Sequence, residues 1–442
     1  MGDVFLTVDL GFGDAGKGGI VDYLTRASGA HTVVRYNGGA QAAHRVVEGG
    51  REHVFSQFGS GTLAGAATHL SRFMLVEPLA MESEAAHLRR LGVAEPFDLT
   101  TIDAQALVIT PFHRATNRLR ELARGPGRHG SCGIGVGEAA ADALAHAAHA
   151  VRMGDMHHPN ALYAKLCFLR DLALAKLRTF EDRILPSAQA EAELELLHDP
   201  DWADWLLPAY RDFAARAQVV PGEHVRGLLA RPGAVIFEGA QGVLLDEWRG
   251  FHPYTTWSTT TLANADALLA EAGHTGAVTR LGLTRGYATR HGAGPFVSED
   301  AGLTAALPDA RNGHGTWQGG FRAGWLDMVM LRYALDVVGP LDGLAVTCLD
   351  RLADLGELRV CQRYTCAGRD LERLAISPDP RDLAHQERLT MQLLACVPKH
   401  VALASADALI DHLERDLDIP VAITSYGSDA TRKQQMQPFF QR

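Results

Sequence analysis

The stretch GFGDAGKGG, Gly11–Gly19, holds the chain's first candidates for chemistry. It fits G-x-x-x-x-G-K through Gly11, Gly16 and Lys17, a spacing that cradles phosphate oxygens in backbone N–H groups and adds a lysine to them. The next position, which in such loops supplies a hydroxyl to Mg²⁺, is Gly18 and has no side chain. A carboxylate, Asp14, stands inside the loop instead. Among phosphates a carboxylate is unfavourable unless a cation neutralises it. With Mg²⁺ present it becomes a hard oxygen ligand, and it can also take a proton from a nearby substrate. The segment Gly13–Gly18 is therefore expected to bind a nucleotide's phosphates. A tight glycine turn between strand and helix is the plainer structural alternative.

Two further constellations follow. RYNGGAQAAH places His44 just after a Gly-Gly strand end, which suits acid catalysis beside a phosphate site, although a single histidine also serves structure. EGAQG, Glu238–Gly242, sets Gln241 among small residues, where its amide can orient a substrate amide. The hydroxyl cluster HPYTTWSTTT (252–261) either holds a second phosphate or caps a helix.

The elements that must position these groups read as α/β. Val4–Asp9 is a short β-branched strand running into the loop, and Ile20–Arg26 reads as the helix after it. Segments 31–39, 233–242, 341–350 and 421–429 repeat the form of a short apolar strand with glycine or polar residues at its carboxyl end. Helical stretches lie between, at 138–151, 160–179, 190–197, 262–272 and 325–337. Segment 122–137 reads as a glycine-rich loop, 184–232 as mostly helical and 360–420 as mixed. Strands alternating with helices predict a large, mostly parallel central sheet flanked by helices, in one domain over 1–442. Ligands of such sheets sit at the carboxyl ends of strands, so the five strand ends are expected to converge.

Composition bounds the rest. The 442 residues are 47% hydrophobic, enough for a sizeable core, and the formal net charge of −10 argues against nucleic acid as a partner. Six cysteines are scattered without a C-x-x-C pair, so neither a zinc site nor a disulfide framework is expected. No run is apolar enough to span a membrane and no cleavable leader is recognisable, which predicts a cytoplasmic protein.

Taken together, these motifs resemble those of the adenylosuccinate synthetase family. Its G-D-E-G-K-G-K appears as GDAGKGG, its G-G-x-N-A-G-H-T as GGAQAAHR, its E-G-A-Q-G-T-L-L-D as EGAQGVLLD and its P-Y-V-T-S-S-N-T-T as PYTTWSTTT. T-R-V-G-A-G-P-F appears as TRHGAGPF (289–296), R-T-G-W-L-D as RAGWLD (322–327), T-K-L-D as TCLD (347–350) and S-T-G-P-D-R as SYGSDA (425–430). The matches keep family order across nearly the whole chain.

The resemblance implies a GTP- and Mg²⁺-dependent ligase. In that family a base removes the N1 proton of IMP, the 6-oxygen takes the γ-phosphoryl group, and the amine of aspartate displaces phosphate. Carried over, Asp14 is the base and a metal ligand, with the carbonyl of Ala43 as another. His44 is the acid beside the transferring phosphoryl group, and Gln241 orients the base-edge amide. Gly13, Gly16, Lys17 and Gly18 hold phosphates, while Asp350, Ser425 and Gly427 receive guanine. Gln41, Gly130, Thr256, His291, Trp317 and Arg322 fall where acceptor and amine bind. A homodimer is also implied.

The departures cluster at the acceptor and amine positions. The family's aspartate loop carries a run of arginines, of which HGTWQGGFRAGWLD keeps Arg322 alone, with Trp317, Gln318, Gly319, Gly320 and Phe321 in place of the others. A dicarboxylate needs fixed cations, so several kcal/mol of its binding are expected to be lost, at about 1.5–3 kcal/mol per charged hydrogen bond. The phosphate-holding G-T-T-G-R-G-I-G-P reads GRHGSCGIGV, and the partner-subunit arginine falls near Ala148. His291 replaces a valine and Cys348 a lysine. The favoured expectation is a ligase of altered acceptor and amine. An ordinary adenylosuccinate synthetase and a non-catalytic GTP-binding regulator are the alternatives.

Overall fold

The computed structural model describes residues 2–309, 317 and 319–437, so Gln318 lies outside the described residues. Ten strands form the central sheet: β1 (Val4–Asp9), β2 (Thr32–Arg35), β3 (Ala67–Leu70), β4 (Thr100–Asp103), β5 (Gln218–Val220), β6 (Val235–Glu238), β7 (Val278–Arg285), β8 (Gly343–Thr347), β9 (Val421–Ser425) and β10 (Lys433–Gln435). Their spatial order is β10-β9-β8-β7-β1-β6-β2-β3-β4-β5. Every neighbouring pair is parallel except β9 with β10, the antiparallel edge. The expected mostly parallel sheet is present.

Alternation along β1 explains how it sits. Val4, Leu6 and Val8 join the hydrophobic cluster on one face, while Phe5 joins the cluster on the other. Helix α1 (Lys17–Ser28) covers that second face with Ile20, Val21 and Leu24. It starts a turn earlier than Ile20, because Gly16 takes a left-handed conformation (φ 78°) that redirects the chain straight into the helix. A further apolar cluster lies under α2 (Pro111–Arg124) and α4 (Pro159–Leu177), beside α3 (Val136–Ala145).

Two expectations need correction. The helix expected over 138–151 ends at Ala145. The helix expected over 325–337 begins only at Met328 (α5, Met328–Val338), since Phe321–Gly324 and Leu326–Asp327 are strands and Asp327 caps the helix with its carboxylate. Strand β7, the longest of the sheet, was not expected at all; it pairs with both β1 and β8 and so spaces the nucleotide loop from the later strand ends. The five expected strands, β1, β2, β6, β8 and β9, do bring their carboxyl ends to one rim. Among the described residues no helix is long and apolar enough to cross a membrane.

Candidate active site

The phosphate loop is tied down from below by Asp9, the last residue of β1. Its carboxylate accepts from the N–H of Gly11 (2.9 Å) and of Ala15 (3.0 Å), and from Lys17 Nζ (2.6 Å). Thr347 of β8 reaches across to donate to the carbonyl of Ala15 at 3.0 Å. The absent hydroxyl at Gly18 has a steric cause: a Cβ there would lie 2.7 Å from the carbonyl oxygen of Arg45 and 2.8 Å from the carbonyl carbon of His44. Helix α1 packs so closely on the hairpin His44–Glu48/Arg51–Phe55 that no side chain fits.

Asp14 is lifted above the loop on a left-handed backbone (φ 61°). Gln241 (φ 63°) and Cys348 (φ 58°) share that conformation, and all three follow strand ends of the sheet rim. Non-glycine residues held this way store strain of order 1 kcal/mol or more, which surrounding packing must hold. Oδ2 of Asp14 lies 3.1 Å from Nε2 of His291. Burial alone would raise the Asp14 carboxyl, but the His291 contact, Arg285 and Lys17 together hold it below its ordinary value.

His44 is held by a buried relay. Its Nδ1 donates to Oε1 of Glu238 at 2.5 Å, which leaves Nε2 for a ligand. Glu238 also accepts from the N–H of Ser60 (2.9 Å) and from its hydroxyl (2.5 Å). Burial works to raise the Glu238 carboxyl; Arg35, His44 and Ser60 outweigh it and bring it down to about 2. Burial, aided by Arg35 and Lys17, lowers the His44 imidazole to about 4 despite Glu238.

These groups line one open cleft of about 1280 Å³. Its lining includes Gly13, Asp14, Gly16, Lys17 and Gly18 of the loop, Gln41, Ala43 and His44 after β2, and Gln241, Thr256 and His291. Gln241 Nε2 donates to Thr256 Oγ1 at 2.8 Å, and its Oε1 is buried without a partner, as are both amide atoms of Gln41. Buried polar atoms without partners are uncommon, so these mark where a ligand's polar edge would be met. Gly130 lines it too, its N–H donating to Glu121 Oε2 at 3.2 Å.

Other expected residues lie outside the cleft wall. Arg322 is paired with Glu299 (2.6 Å) and donates to the Gly294 carbonyl (3.1 Å), so its charge is already engaged. Trp317 stacks against Arg118, whose guanidinium carbon is 5.6 Å from its ring centre. Asp350 is exposed just after β8, and Ser425 is buried at the end of β9, with its hydroxyl donating to the Gly427 carbonyl at 3.1 Å. Sequence reasoning gave no role to Asp9 or Glu238. A carboxylate closing a strand that runs into a glycine loop was the available signal for each.

A metal must be held sparingly here. Among the described residues no group of three or more His, Cys, Asp or Glu side chains could hold an ion. That suits Mg²⁺, which takes one or two carboxylates and completes its shell with water and substrate phosphates. Asp14, ionised and lining the cleft, fits such a role.

A glycine loop opening a helix, a carboxylate within it and a relayed histidine opposite define a nucleotide-dependent phosphoryl-transfer enzyme of α/β architecture. The family model described as adenylosuccinate synthetase matches residues 7–435. Adenylosuccinate synthetase of Acidithiobacillus ferrooxidans is 35% identical over 81% of this chain and 80% of its own. That of Syntrophobacter fumaroxidans is 32% identical over 94% and 90%. The fully ligated adenylosuccinate synthetase structure from Plasmodium falciparum superposes with a TM-score of 0.77 at 20% identity, covering 99% of this chain and 100% of that one. The chain belongs to the adenylosuccinate synthetase family, and it is a GTP- and Mg²⁺-dependent ligase that forms C–N bonds.

Proposed function

We propose that this ligase phosphorylates a carbonyl oxygen of a purine-like or other heterocyclic acceptor that carries no terminal phosphate, and that an amine other than aspartate then displaces the phosphate. The observation that carries this reading is charge. Arg120 is paired with Glu138 (2.7 Å), Lys176 with Glu138 (2.8 Å) and Asp142 (2.5 Å), and Arg124 with Glu121, so the cleft's cations on α2 and α4 are neutralised in place. A phosphate there would have to displace a carboxylate already held, at a cost comparable to its own gain. Arg322, committed to Glu299, is equally poor at receiving a dicarboxylate.

In the reaction Asp14 takes the acceptor's amide proton, and Gln241, fixed by Thr256, orients the amide edge. His44, neutral in the free protein, takes up a proton as the phosphoryl group's negative charge arrives and donates to it from Nε2 while Glu238 holds its other nitrogen. Lys17 leaves Asp9 for the nucleotide's phosphates, and Asp350 pairs with guanine's N1–H and amino group. Mg²⁺, held by Asp14 and the carbonyl of Ala43, would neutralise phosphate charge. The protein acts as a homodimer; the turn at Ala147–His149 offers no arginine to a partner's acceptor, which supports sites that share no phosphate contact.

A protein of this fold from cyanophage S-2L, a succinoaminodeoxyadenylate synthetase, is bound to dGMP and to dATP as an energy donor (TM-score 0.56, 16% identity), so nucleotides other than IMP and GTP occur within the fold. The ordinary reaction of IMP with aspartate is the second reading, favoured by curated relatives of 35% and 32% identity that bear that name. The test is to incubate the protein with GTP, Mg²⁺, IMP and aspartate and follow the absorbance of adenylosuccinate. Robust turnover would remove the altered-acceptor reading. Its absence, followed by GTP-dependent phosphate release with a phosphate-free lactam and an amine, is the expected result.

A further inference from the structure

The head of α1 lacks a lysine that the family pattern G-D-E-G-K-G-K carries. Here that position is Gly19. A Cβ built on Gly19 would lie 3.0 Å from Nζ of Lys433 and 3.5 Å from the carbonyl oxygen of Ser428. An ammonium delivered by a different element thus stands beside the helix position from which the missing lysine would project. Lys433 opens the edge strand β10, opposite Ser425 of β9, and is only 8% exposed.

All three of its N–H donors are used. They go to the successive carbonyls of Gly427 (3.1 Å), Ser428 (3.0 Å) and Asp429 (2.9 Å). Three consecutive carbonyls can converge on one point only if the turn curls around it, so the ammonium dictates the turn's shape. That turn directly follows Ser425, whose hydroxyl is bonded to the same Gly427 carbonyl. Asp22 of α1, Asp429 and Asp350 are the neighbouring carboxylates that favour the ammonium, against its burial.

We propose that Lys433 is a positioning residue for the donor nucleotide: from the space beside Gly19 it fixes the Gly427–Asp429 turn that completes the guanine pocket. This rests on the assignment of Asp350, Ser425 and Gly427 to the base. One ammonium thus shapes the turn of the base pocket from a space bordered by the helix that follows the phosphate loop.

Calorimetric binding of GDP and of ADP to the full chain with Mg²⁺ tests this without knowledge of the acceptor. Lys433→Ala is expected to weaken GDP about 10-fold and ADP less than about 2-fold, the loss of one charged hydrogen-bond set to a base-specific turn. Gly19→Lys should recover most of that loss in the Lys433→Ala background, yet weaken GDP in the wild type, where two ammonium groups would meet. Should Lys433→Ala fail to fold, Lys433→Gln, which keeps two donors, is expected to lose about 3-fold for GDP alone. Unchanged GDP affinity, an equal loss for GDP and ADP, or no recovery by Gly19→Lys overturns the proposal. Asp350→Asn separates the two claims. If it abolishes the preference for GDP while Lys433→Ala does not, only the role of Lys433 fails; if neither does, the base pocket fails with it.

Discussion

Nζ of Lys17 lies 2.6 Å from Oδ2 of Asp9, and both side chains are buried beneath the phosphate loop. The lysine proposed to meet the nucleotide is thus held by the carboxylate that also anchors the loop's backbone. Asp9→Ala removes the acceptor of two backbone N–H groups and strands a buried ammonium. The expected loss is about 3–5 kcal/mol of stability, read from urea unfolding. A loss below about 1 kcal/mol would mean that the loop is held by its glycines and Thr347 alone.

Glu238 governs which nitrogen of His44 faces a ligand. In Glu238→Gln the amide must reorganise to receive Nδ1–H, and the negative charge behind the ring is gone. GTP-dependent phosphate release is expected to fall by about 10²-fold or more while GDP affinity stays within about 3-fold. A variant losing GDP affinity and turnover equally would show that Glu238 serves the nucleotide site rather than His44.

Asp14→Asn separates chemistry from fold. Asparagine adopts the left-handed backbone (φ 61°) as readily as aspartate, so the melting temperature should move by only a few degrees. Turnover should fall by about 10³-fold or more, because the proposed proton acceptor and metal ligand are lost together. Chelation of Mg²⁺ should abolish wild-type turnover reversibly. Retained turnover in Asp14→Asn would exclude Asp14 as the base.

The phosphate loop was legible because its signal is local: glycine spacing, a lysine and a preceding strand lie within one short stretch. The strand ends around it were legible for the same reason. Their partners were not. His44 and Glu238 are 194 residues apart, and only the placement of β6 between β1 and β2 brings them together. β7 was missed because Arg280 and Gly282 interrupt its apolar pattern, although Leu281 and Leu283 are wholly buried. Arg322 read as a substrate-binding cation because nothing in the sequence ties it to Glu299, which the fold places beside it.

Asp327 gives the protein a stability term that runs against those of Asp14 and Glu238. It caps α5 by accepting from the N–H groups of Val329 and Met330 at 3.1 Å each, and its Oδ2 accepts from Tyr364 Oη at 2.6 Å. Burial nevertheless dominates and pushes its carboxyl from 3.8 up to about 6. Because the folded value is raised, the protonated form is favoured by folding. Its stabilisation is complete below 3.8 and is lost as pH rises through about 6. That rise is worth ~3 kcal/mol at 1.36 kcal/mol per pH unit. Glu238, brought down to about 2, contributes in the opposite sense, losing stabilisation as pH falls below its ordinary 4.5. Asp327→Asn keeps a capping oxygen and removes the buried charge. Relative to wild type, the variant should therefore gain ~3 kcal/mol between about pH 4 and about pH 7, measured as the difference in unfolding free energy. A difference that does not change across that range would mean that Asp327 stays ionised in the folded protein down to its ordinary value, held so by Tyr364 and the helix N–H groups.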